Sequence, residues 1–205
     1  MKALFLKRPF DVILSFFGLL LSSPLWGLFS LLIWIEDRGP VFYTQNRVGK
    51  NGRIFKAIKF RSMIKDAEKE GKPVQAAEND SRVTRVGHLL RITAMDELPQ
   101  LVNIFIGDMS FVGPRALRPE EKEVGPDSQV KNLEDIPGYR QRQSVTPGLT
   151  GSAQIFLRAD APRRKKFLYD ILYVKKRSFW LDLKLIFLSF WITFRGKWET
   201  GKKKI

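Results

Sequence analysis

The chain has 205 residues, enough for one domain-sized core, with 36 Lys and Arg against 21 Asp and Glu and a formal net charge of +15. This charge favours an anionic partner such as nucleic acid, acidic lipid or a phosphorylated substrate, without choosing among them. The absence of cysteine excludes disulfides and thiolate chemistry, and a single histidine, His88, cannot form a histidine-rich metal cluster. Any catalytic metal should therefore be held by oxygen ligands.

An uncharged apolar run of 24 residues, from Val12 to Ile35, follows three basic residues at the N-terminus. As a helix it would extend roughly 36 Å, which is enough to cross a hydrocarbon core. It is longer than a usual signal-peptide core and has no clear cleavage site. Ser22, Ser23 and Pro24 predict a kink in which serine hydroxyls bond the carbonyls that proline leaves free. Physical reasoning leaves two topologies open, a kinked spanning helix and a helix that bends and returns. We assign residues 1–36 to the membrane anchor.

The next elements are a β-hairpin and a short helix. The arms 41–47 and 53–61 flank Asn51-Gly52, a dipeptide suited to a tight turn because both positions tolerate positive φ. Read as a strand, the second arm places Lys59 and Arg61 on one face. Ser81 is the predicted N-cap of the helix that follows, and Arg91 closes it.

Another helix is predicted to begin near Pro99 and to end at Gly107, with Asp96 and Glu97 at its entrance. Turn signals follow, and a third helix is expected after Asp160 and Pro162, burying Phe167, Ile171 and Val174. We assign residues 37–177 to a catalytic domain.

The last predicted helix, 179–194, is rich in aromatic residues but contains Asp182 and Lys184, so it is too short and too charged for a comfortable span. Trp180, Trp191 and Trp198 suit the depth of lipid headgroups, which predicts an interfacial amphipathic helix. The alternative is that the helix only packs on the protein core. We assign residues 178–205 to this helix and a basic tail.

The chemistry points to Asp96-Glu97, an adjacent carboxylate pair with Arg91 before it and Arg115 and Arg118 after it. Carboxylates bind divalent cations or attack phosphorus, and arginines grip phosphate, so the mixture fits phosphoryl transfer. Taken alone, Asp-Glu before Leu-Pro is more often a helix-entry signal, and Arg115 could be an ordinary turn residue.

Longer motifs resemble the signature of the bacterial sugar transferases called monotopic phosphoglycosyl transferases. The matching residues are Lys7-Arg8, Asp11, Ser23-Pro24, Gln45, Arg47, Gly49, the segment 59–63 (KFRSM), the segment 96–101 (DELPQL), the segment 107–115 (GDMSFVGPR), the segment 147–151 (PGLTG), Tyr169-Asp170 and Tyr173. The resemblance covers nearly the whole chain.

This resemblance implies a reaction in two steps, with Asp96 as the nucleophile. The carboxylate attacks the β-phosphorus of a UDP-sugar, UMP leaves, and undecaprenyl phosphate then takes the phosphosugar from the enzyme. The family also implies Mg²⁺, reached by Asp96 or Glu97, and Glu97 is a candidate for activating the second substrate. Further phosphate- or substrate-binding candidates are Lys59, Arg61, Arg91, Arg115, Pro147, Gly148, Thr150 and Gly151.

The expected fold is α+β and mainly helical, with a small β-hairpin, interfacial helices and a membrane helix that is re-entrant and broken at Ser23-Pro24. The resemblance places the catalytic domain on the cytoplasmic face of the bacterial inner membrane, and the chain resembles the minimal form of the family. Expected partners are membrane lipid, polyprenyl phosphate and a UDP-sugar, with downstream glycosyltransferases as further candidates and no nucleic acid. The sugar and the oligomeric state stay open.

Two features depart from the family pattern, since Ala116 replaces a common proline and His88 stands where a basic residue is frequent. Two other functions compete with the enzyme. A membrane-tethered nucleic-acid-binding protein would explain the net charge and the C-terminal aromatic and basic residues. A membrane-surface scaffold would predict that replacing Asp96 changes nothing measurable.

Overall fold

A computed structural model describes residues 5–65, 67, 80–119, 121–124, 130–158 and 160–195. The described chain is mostly helical, as predicted, with short strands. Its helices are α1 (Lys7–Glu36), α2 (Arg85–Ile92), α3 (Gln100–Ile106), α4 (Tyr139–Arg142), α5 (Ser152–Phe156), α6 (Arg163–Lys176) and α7 (Phe179–Phe194). Its strands are β1 (Phe42–Val48), β2 (Ile54–Phe60), β3 (Ser110–Val112), β4 (Lys122–Val124), β5 (Val130–Asn132) and β6 (Gly148–Thr150).

The described residues form three two-stranded sheets. Strands β1 and β2 form the predicted antiparallel hairpin, β4 pairs antiparallel with β5, and β3 pairs parallel with β6. In the hairpin turn, Asn51 and Gly52 have φ angles of 54° and 82°, the left-handed conformation expected for this dipeptide. The register places Tyr43 opposite Lys59 and Arg47 opposite Phe55, so these four side chains share one face.

Helix α1 is helical from Lys7 to Glu36 with Pro24 inside it. Pro24 has no amide hydrogen for the carbonyl of Leu20, and the Ser23 hydroxyl donates to that carbonyl at 2.8 Å, as predicted for this segment. α1 is the one helix of the described residues that is long and apolar enough to cross a membrane. The re-entrant bend stays a prediction.

One face of α1 packs on the rest of the protein along nearly its whole length. Asp11 and Ser15 are buried near its start, and Ile33 is buried near its end against Phe60 and Leu90. Its other face is bare and apolar, with these exposed side chains: Ile13, Phe16, Phe17, Leu20, Leu21, Leu25, Leu28, Leu31, Trp34 and Ile35. One face of α1 therefore contacts the rest of the protein, and its other, apolar face is suited to contact lipid.

Polar contacts clamp both ends of α1 to the same body. At the start, the Lys7 ammonium donates to the Val112 carbonyl at 2.9 Å and pairs with Asp182 of α7 at 2.5 Å. At the end, the Glu36 carboxylate accepts from the amides of Arg85 and Val86 at 2.7 and 2.9 Å, at the N-terminus of α2.

The start of α2 corrects one prediction. The N-cap is Thr84, whose hydroxyl accepts from the Gly87 amide at 2.9 Å, and not Ser81. Gly87 passes so close to Ser62 that a Cβ would lie 2.0 Å from its carbonyl oxygen. This close approach leaves no room for a side chain at position 87.

Helix α3 ends as predicted at Gly107, which has a φ of 101° and caps the helix in the left-handed conformation. The predicted third helix is α6, and it begins after Pro162. It buries Phe167 and Tyr173, whereas the expected apolar residues Ile171 and Val174 are only half-buried.

The apolar core lies between the hairpin, α3, β3 and α7. One cluster joins Phe55 and Ala57 of β2 to Ile104 of α3, and another joins Val112 of β3 to Leu185 and Ile192 of α7. Each fully buried side chain of this size contributes about 1.5–3 kcal/mol relative to an exposed one. α7 thus packs on the core with one face, while its other face exposes Trp180, Phe187, Phe190 and Phe194. Trp198 lies outside the described residues.

Candidate active site

The carboxylate pair lies in a short 3-10 turn between α2 and α3. Met95–Glu97 forms this turn, and Ala94 joins it to α2 in the left-handed conformation, with φ 56° and ψ 19°. A left-handed alanine is strained because its Cβ approaches the following carbonyl. The sequence prediction that Asp96 and Glu97 stand at the entrance of α3 is confirmed.

Asp96 and Glu97 differ in their partners although they are adjacent. Glu97 Oε1 accepts from Lys59 Nζ at 2.6 Å and from Arg115 Nη2 at 3.0 Å. Asp96 Oδ2 lies 3.8 Å from Lys59 Nζ, and its carboxylate accepts no hydrogen bond from the described part of the chain. One carboxylate is thus held by two cations, and the other keeps free acceptor capacity.

The pKa values of the two acids move in opposite directions. Burial raises the pKa of Asp96 to about 6, with the charge of Glu97 adding to the rise and Lys59 opposing it. Burial also acts to raise the pKa of Glu97, but Arg115 and Lys59 together outweigh it and hold that pKa well below the usual range. Glu97 is therefore the weaker base of the two.

Arg115 is positioned by the contact between β3 and β6. The predicted segment 147–151 forms β6, and Gly148 bridges to Arg115 while its amide donates to the Pro114 carbonyl at 3.0 Å. A Cβ on Gly148 would lie 2.0 Å from the Gly113 amide nitrogen, so the two backbones need glycine to meet. The segment therefore supports the loop that carries Arg115.

A buried ion pair holds the same loop from behind. Arg142 Nη2 donates to the Arg115 carbonyl at 2.6 Å, and Arg142 Nε pairs with Asp170 of α6 at 2.9 Å. The guanidinium also lies over the Phe167 ring, 4.8 Å from its centre. Arg142 gave no sequence signal as a site residue, whereas Asp170 belonged to the recognised motifs.

A cleft beside the pair collects several of the predicted residues. It is lined by Arg47, Ala57, Lys59, Glu97, Gln100, Met109, Arg115, Ala116 and Gly148. Arg91 lies in the last turn of α2, and its charge acts to lower the pKa of Asp96. Thr150 is buried, with its hydroxyl unpaired among the described residues, and a Cβ on Gly151 would lie 2.2 Å from the Gly113 carbonyl oxygen.

Arg61 lies apart from the cleft. It follows the end of β2, is buried, and donates to the Asp37 carbonyl, with its Nη2 3.7 Å from the Asp37 carboxylate. The structure therefore brings Lys59 to the acids and turns Arg61 to the end of α1. The long side chain of Arg61 reaches Asp37, the acid that packing places within its range.

Comparison with known proteins identifies the family. The model of the bacterial sugar transferase family matches residues 2–196. The chain belongs to that family.

Curated sugar transferases resemble the chain over nearly all of its length. One is a UDP-glucose:undecaprenyl-phosphate glucose-1-phosphate transferase of Klebsiella pneumoniae, 41% identical over 93% of this chain and 40% of its own length. A UDP-N-acetylgalactosamine-undecaprenyl-phosphate N-acetylgalactosaminephosphotransferase of Aeromonas hydrophila is 41% identical over 89% of this chain and 42% of its own length. An exopolysaccharide production protein of Rhizobium leguminosarum is 40% identical over 90% of this chain and 92% of its own length. The chain thus spans about two fifths of the first two relatives and nearly all of the third.

Five residues that line the cleft were not among the predicted site residues. These are Arg47, Ala57, Gln100, Met109 and Ala116. A signal existed for Arg47, because the hairpin register set by Asn51-Gly52 places it on the face of Lys59. Gln100 and Met109 reach the cleft through the packing of α3 and the turn after it, which no local pattern predicts.

Proposed function

We propose that the chain transfers a sugar 1-phosphate from a UDP-sugar to undecaprenyl phosphate through a covalent intermediate on Asp96. The observation that carries the proposal is the contrast within the acid pair. Glu97 is engaged by two cations, while Asp96 beside it accepts no hydrogen bond from the described residues. A carboxylate with free lone pairs beside a cationic cleft is suited to attack phosphorus.

In the first step, an Asp96 oxygen forms a bond to the β-phosphorus of the UDP-sugar. The bond from that phosphorus to the bridging oxygen breaks, and UMP leaves with the oxygen and its electron pair. The product is a mixed acyl phosphate that carries the sugar. Because Asp96 reacts as an anion, this step requires no proton transfer.

Lys59 and Arg115 stabilise the charge on the transferring phosphoryl group. Both cations reach Glu97 Oε1, so they stand beside the nucleophile before substrate binds. Fixed cations lower the barrier because they do not have to reorient during reaction. Glu97 holds them there, and its low pKa fits this positioning role better than the role of a general base.

The site also fits Mg²⁺. This ion is usually bound by one or two carboxylates together with substrate phosphates, and it keeps several waters. No group of three or more acidic or histidine side chains that could hold a metal occurs among the described residues, so the protein would supply Asp96 and Glu97 and the diphosphate the rest. When bound, the ion would neutralise the diphosphate and help UMP to leave.

In the second step, an oxygen of undecaprenyl phosphate attacks the phosphorus held by Asp96. The acyl phosphate bond breaks, Asp96 becomes a carboxylate again, and undecaprenyl diphosphate sugar is released. The cleft is then ready for another UDP-sugar. The relatives of Klebsiella and Aeromonas are named for this kind of transfer to undecaprenyl phosphate.

The acceptor is a membrane lipid, and α1 supports a one-sided attachment to the bilayer. Both ends of α1 contact the body that carries the cleft, through Lys7 at one end and Glu36 at the other. A helix that crossed the bilayer would place one of these polar contacts on the far side, away from the protein body. We therefore propose that α1 enters and leaves on the cytoplasmic face of the inner membrane, bending at Ser23-Pro24 in the lipid. The exposed aromatic face of α7 would lie along the same interface.

A burst experiment tests the chemistry. Enzyme, UDP-sugar and Mg²⁺ without polyprenyl phosphate should release about one UMP per enzyme, and the protein should gain the mass of the phosphosugar. Asp96→Asn should abolish both signals, because it keeps the size of the side chain and removes the anionic nucleophile. Asp135→Asn serves as a control, since it changes an exposed acid that neither lines the cleft nor belongs to the matching motifs.

Two outcomes would contradict the assignment. Peptide mass analysis that placed the adduct on Glu97 would reverse the roles of the two acids. Release of UMP only when the lipid is present, with no adduct at any time, would exclude the covalent intermediate.

Accessibility labelling tests the topology. A cysteine placed at Lys50, in the exposed hairpin turn, should react with a permeant reagent in intact cells and not with one confined to the periplasm. Modification from the periplasm would show that α1 spans. Addition of lipid vesicles should also shift tryptophan emission to the blue, and Trp180→Phe should reduce the shift if α7 lies at the interface.

A further inference from the structure

The cleft carries more positive charge than its acids balance. Lys59 and Arg115 already match the charges of Asp96 and Glu97. Arg47 lines the same cleft and forms no ion pair with the described carboxylates, although the charges of Glu97 and Glu121 act on it. Among the described residues, its guanidinium donates one hydrogen bond, from Nη1 to the Ala116 carbonyl at 3.0 Å.

The backbone fixes Arg47 beside two other guanidiniums. The Val48 amide donates to the Leu117 carbonyl at 2.8 Å, which ties the end of β1 to the segment between Arg115 and Arg118. Burial and the charges of Arg115 and Arg118 lower the pKa of Arg47 to about 10, against the opposing charges of Glu121 and Glu97. The fold therefore holds cations together against their repulsion, an arrangement that an anionic ligand would relieve.

The contacts of each cation indicate which anion Arg47 meets. Lys59 and Arg115 both contact Glu97 of the acid pair, so they lie beside the phosphorus that Asp96 attacks. Arg47 lines the same cleft and donates to the carbonyl of Ala116, the residue after Arg115. A UDP-sugar brings two phosphates to the cleft, and Arg47 is the cation of the lining that no described carboxylate engages, so it is available to the second phosphate.

We propose that Arg47 binds the α-phosphate of the UDP-sugar, the phosphate that departs in UMP. This assignment rests on the proposed function and adds a leaving-group residue to it. When the bond to the bridging oxygen breaks, the electron pair stays with that oxygen and the α-phosphate gains one negative charge. The Arg47 guanidinium, which keeps its proton, stabilises this charge through donors not used on Ala116.

Binding of UMP to the full chain in detergent or nanodiscs tests the assignment. Arg47→Gln should weaken UMP binding about 10- to 100-fold, the usual range for losing a hydrogen bond to a charged group. Glutamine can still donate to the Ala116 carbonyl, so the variant should keep the fold and the thermal unfolding temperature. Arg53→Gln, an exposed arginine of the same hairpin, should bind UMP like the wild type. Uridine, which has no phosphate, should bind all three proteins equally.

The results separate the alternatives. Unchanged UMP binding by Arg47→Gln would overturn the assignment, and so would a loss of uridine binding equal to the loss of UMP binding. If Arg47→Gln lost affinity for polyprenyl phosphate and kept it for UMP, Arg47 would belong to the acceptor site instead. A wild-type protein that binds no UMP would count against the proposed function itself.

Discussion

Two charged regions that share the Arg115 loop differ in how they use their bonding capacity. In the cleft, Lys59 and Arg115 converge on one oxygen of Glu97 and leave Asp96 without a hydrogen bond from the described residues. Behind the loop, Arg142 and Asp170 are each only 4% exposed in their side chains, and Arg142 is used up by a carboxylate, a carbonyl and an aromatic ring. The acids of the cleft thus keep hydrogen-bonding capacity for a ligand, whereas the buried pair uses its capacity within the fold.

From this difference we predict that substitutions in the buried pair mainly lower stability, whereas substitutions in the cleft mainly lower activity. When one partner of a buried ion pair is removed, the remaining charge is left unpaired in an interior that solvates it poorly, which destabilises the folded protein. Water can solvate the charges of a partly exposed cluster, so the loss of one member changes the positions of the others more than it lowers the stability of the fold. Three substitutions test the comparison.

The largest effect on folding is expected for Asp170→Ala. It leaves the Arg142 guanidinium buried and unpaired, and we expect the free energy of unfolding to fall by about 3–5 kcal/mol. Thermal and denaturant unfolding of the purified protein would measure the loss. The control is Asp160→Ala, which breaks the exposed pair with Arg158 and should change stability little. Equal losses in the two variants would show that the buried pair has no special role.

Among these three substitutions, the largest effect on activity without loss of stability is expected for Glu97→Gln. The amide removes the charge that draws Lys59 and Arg115 together, so both cations should leave their positions beside Asp96. Turnover should fall on the order of 100-fold, as for other misplaced catalytic groups. Parallel steady-state and single-turnover assays would measure this, alongside the unfolding temperature. A marked fall in stability with activity retained would reverse the proposed division between the two regions.

The smallest effect is expected for Ala94→Gly, at the strained residue that introduces the acid pair. Glycine adopts the left-handed conformation without steric cost, although it also gains entropy in the unfolded chain. We expect a net gain in stability of up to about 1 kcal/mol, measurable by denaturant unfolding. Gly107→Ala is the opposite change at another left-handed position and should destabilise the protein. A loss of stability in Ala94→Gly would mean that this conformation carries no strain.

Local patterns predicted several elements because their causes lie within a few residues. Asn51 and Gly52 tolerate positive φ, so the hairpin turn follows from the dipeptide itself. Gly107 ends α3 for the same reason, and the Ser23 hydroxyl replaces the hydrogen bond that Pro24 cannot make. Ser81 was wrong as the cap of α2, because the helix begins at Arg85 and the hydroxyl of Thr84, directly before it, accepts from the Gly87 amide.

The sequence by itself determined the family, the acid pair and its place at the start of α3, because these depend on motifs and short-range geometry. Only the tertiary structure decided which cation meets which acid. Lys59 and Arg61 are both long side chains predicted on one face, yet one reaches Glu97 and the other Asp37. Arg142 reaches the Arg115 carbonyl from 27 positions away in sequence. A flexible charged side chain binds whichever partner the packed backbone places within its reach, and that distance is set by the whole fold.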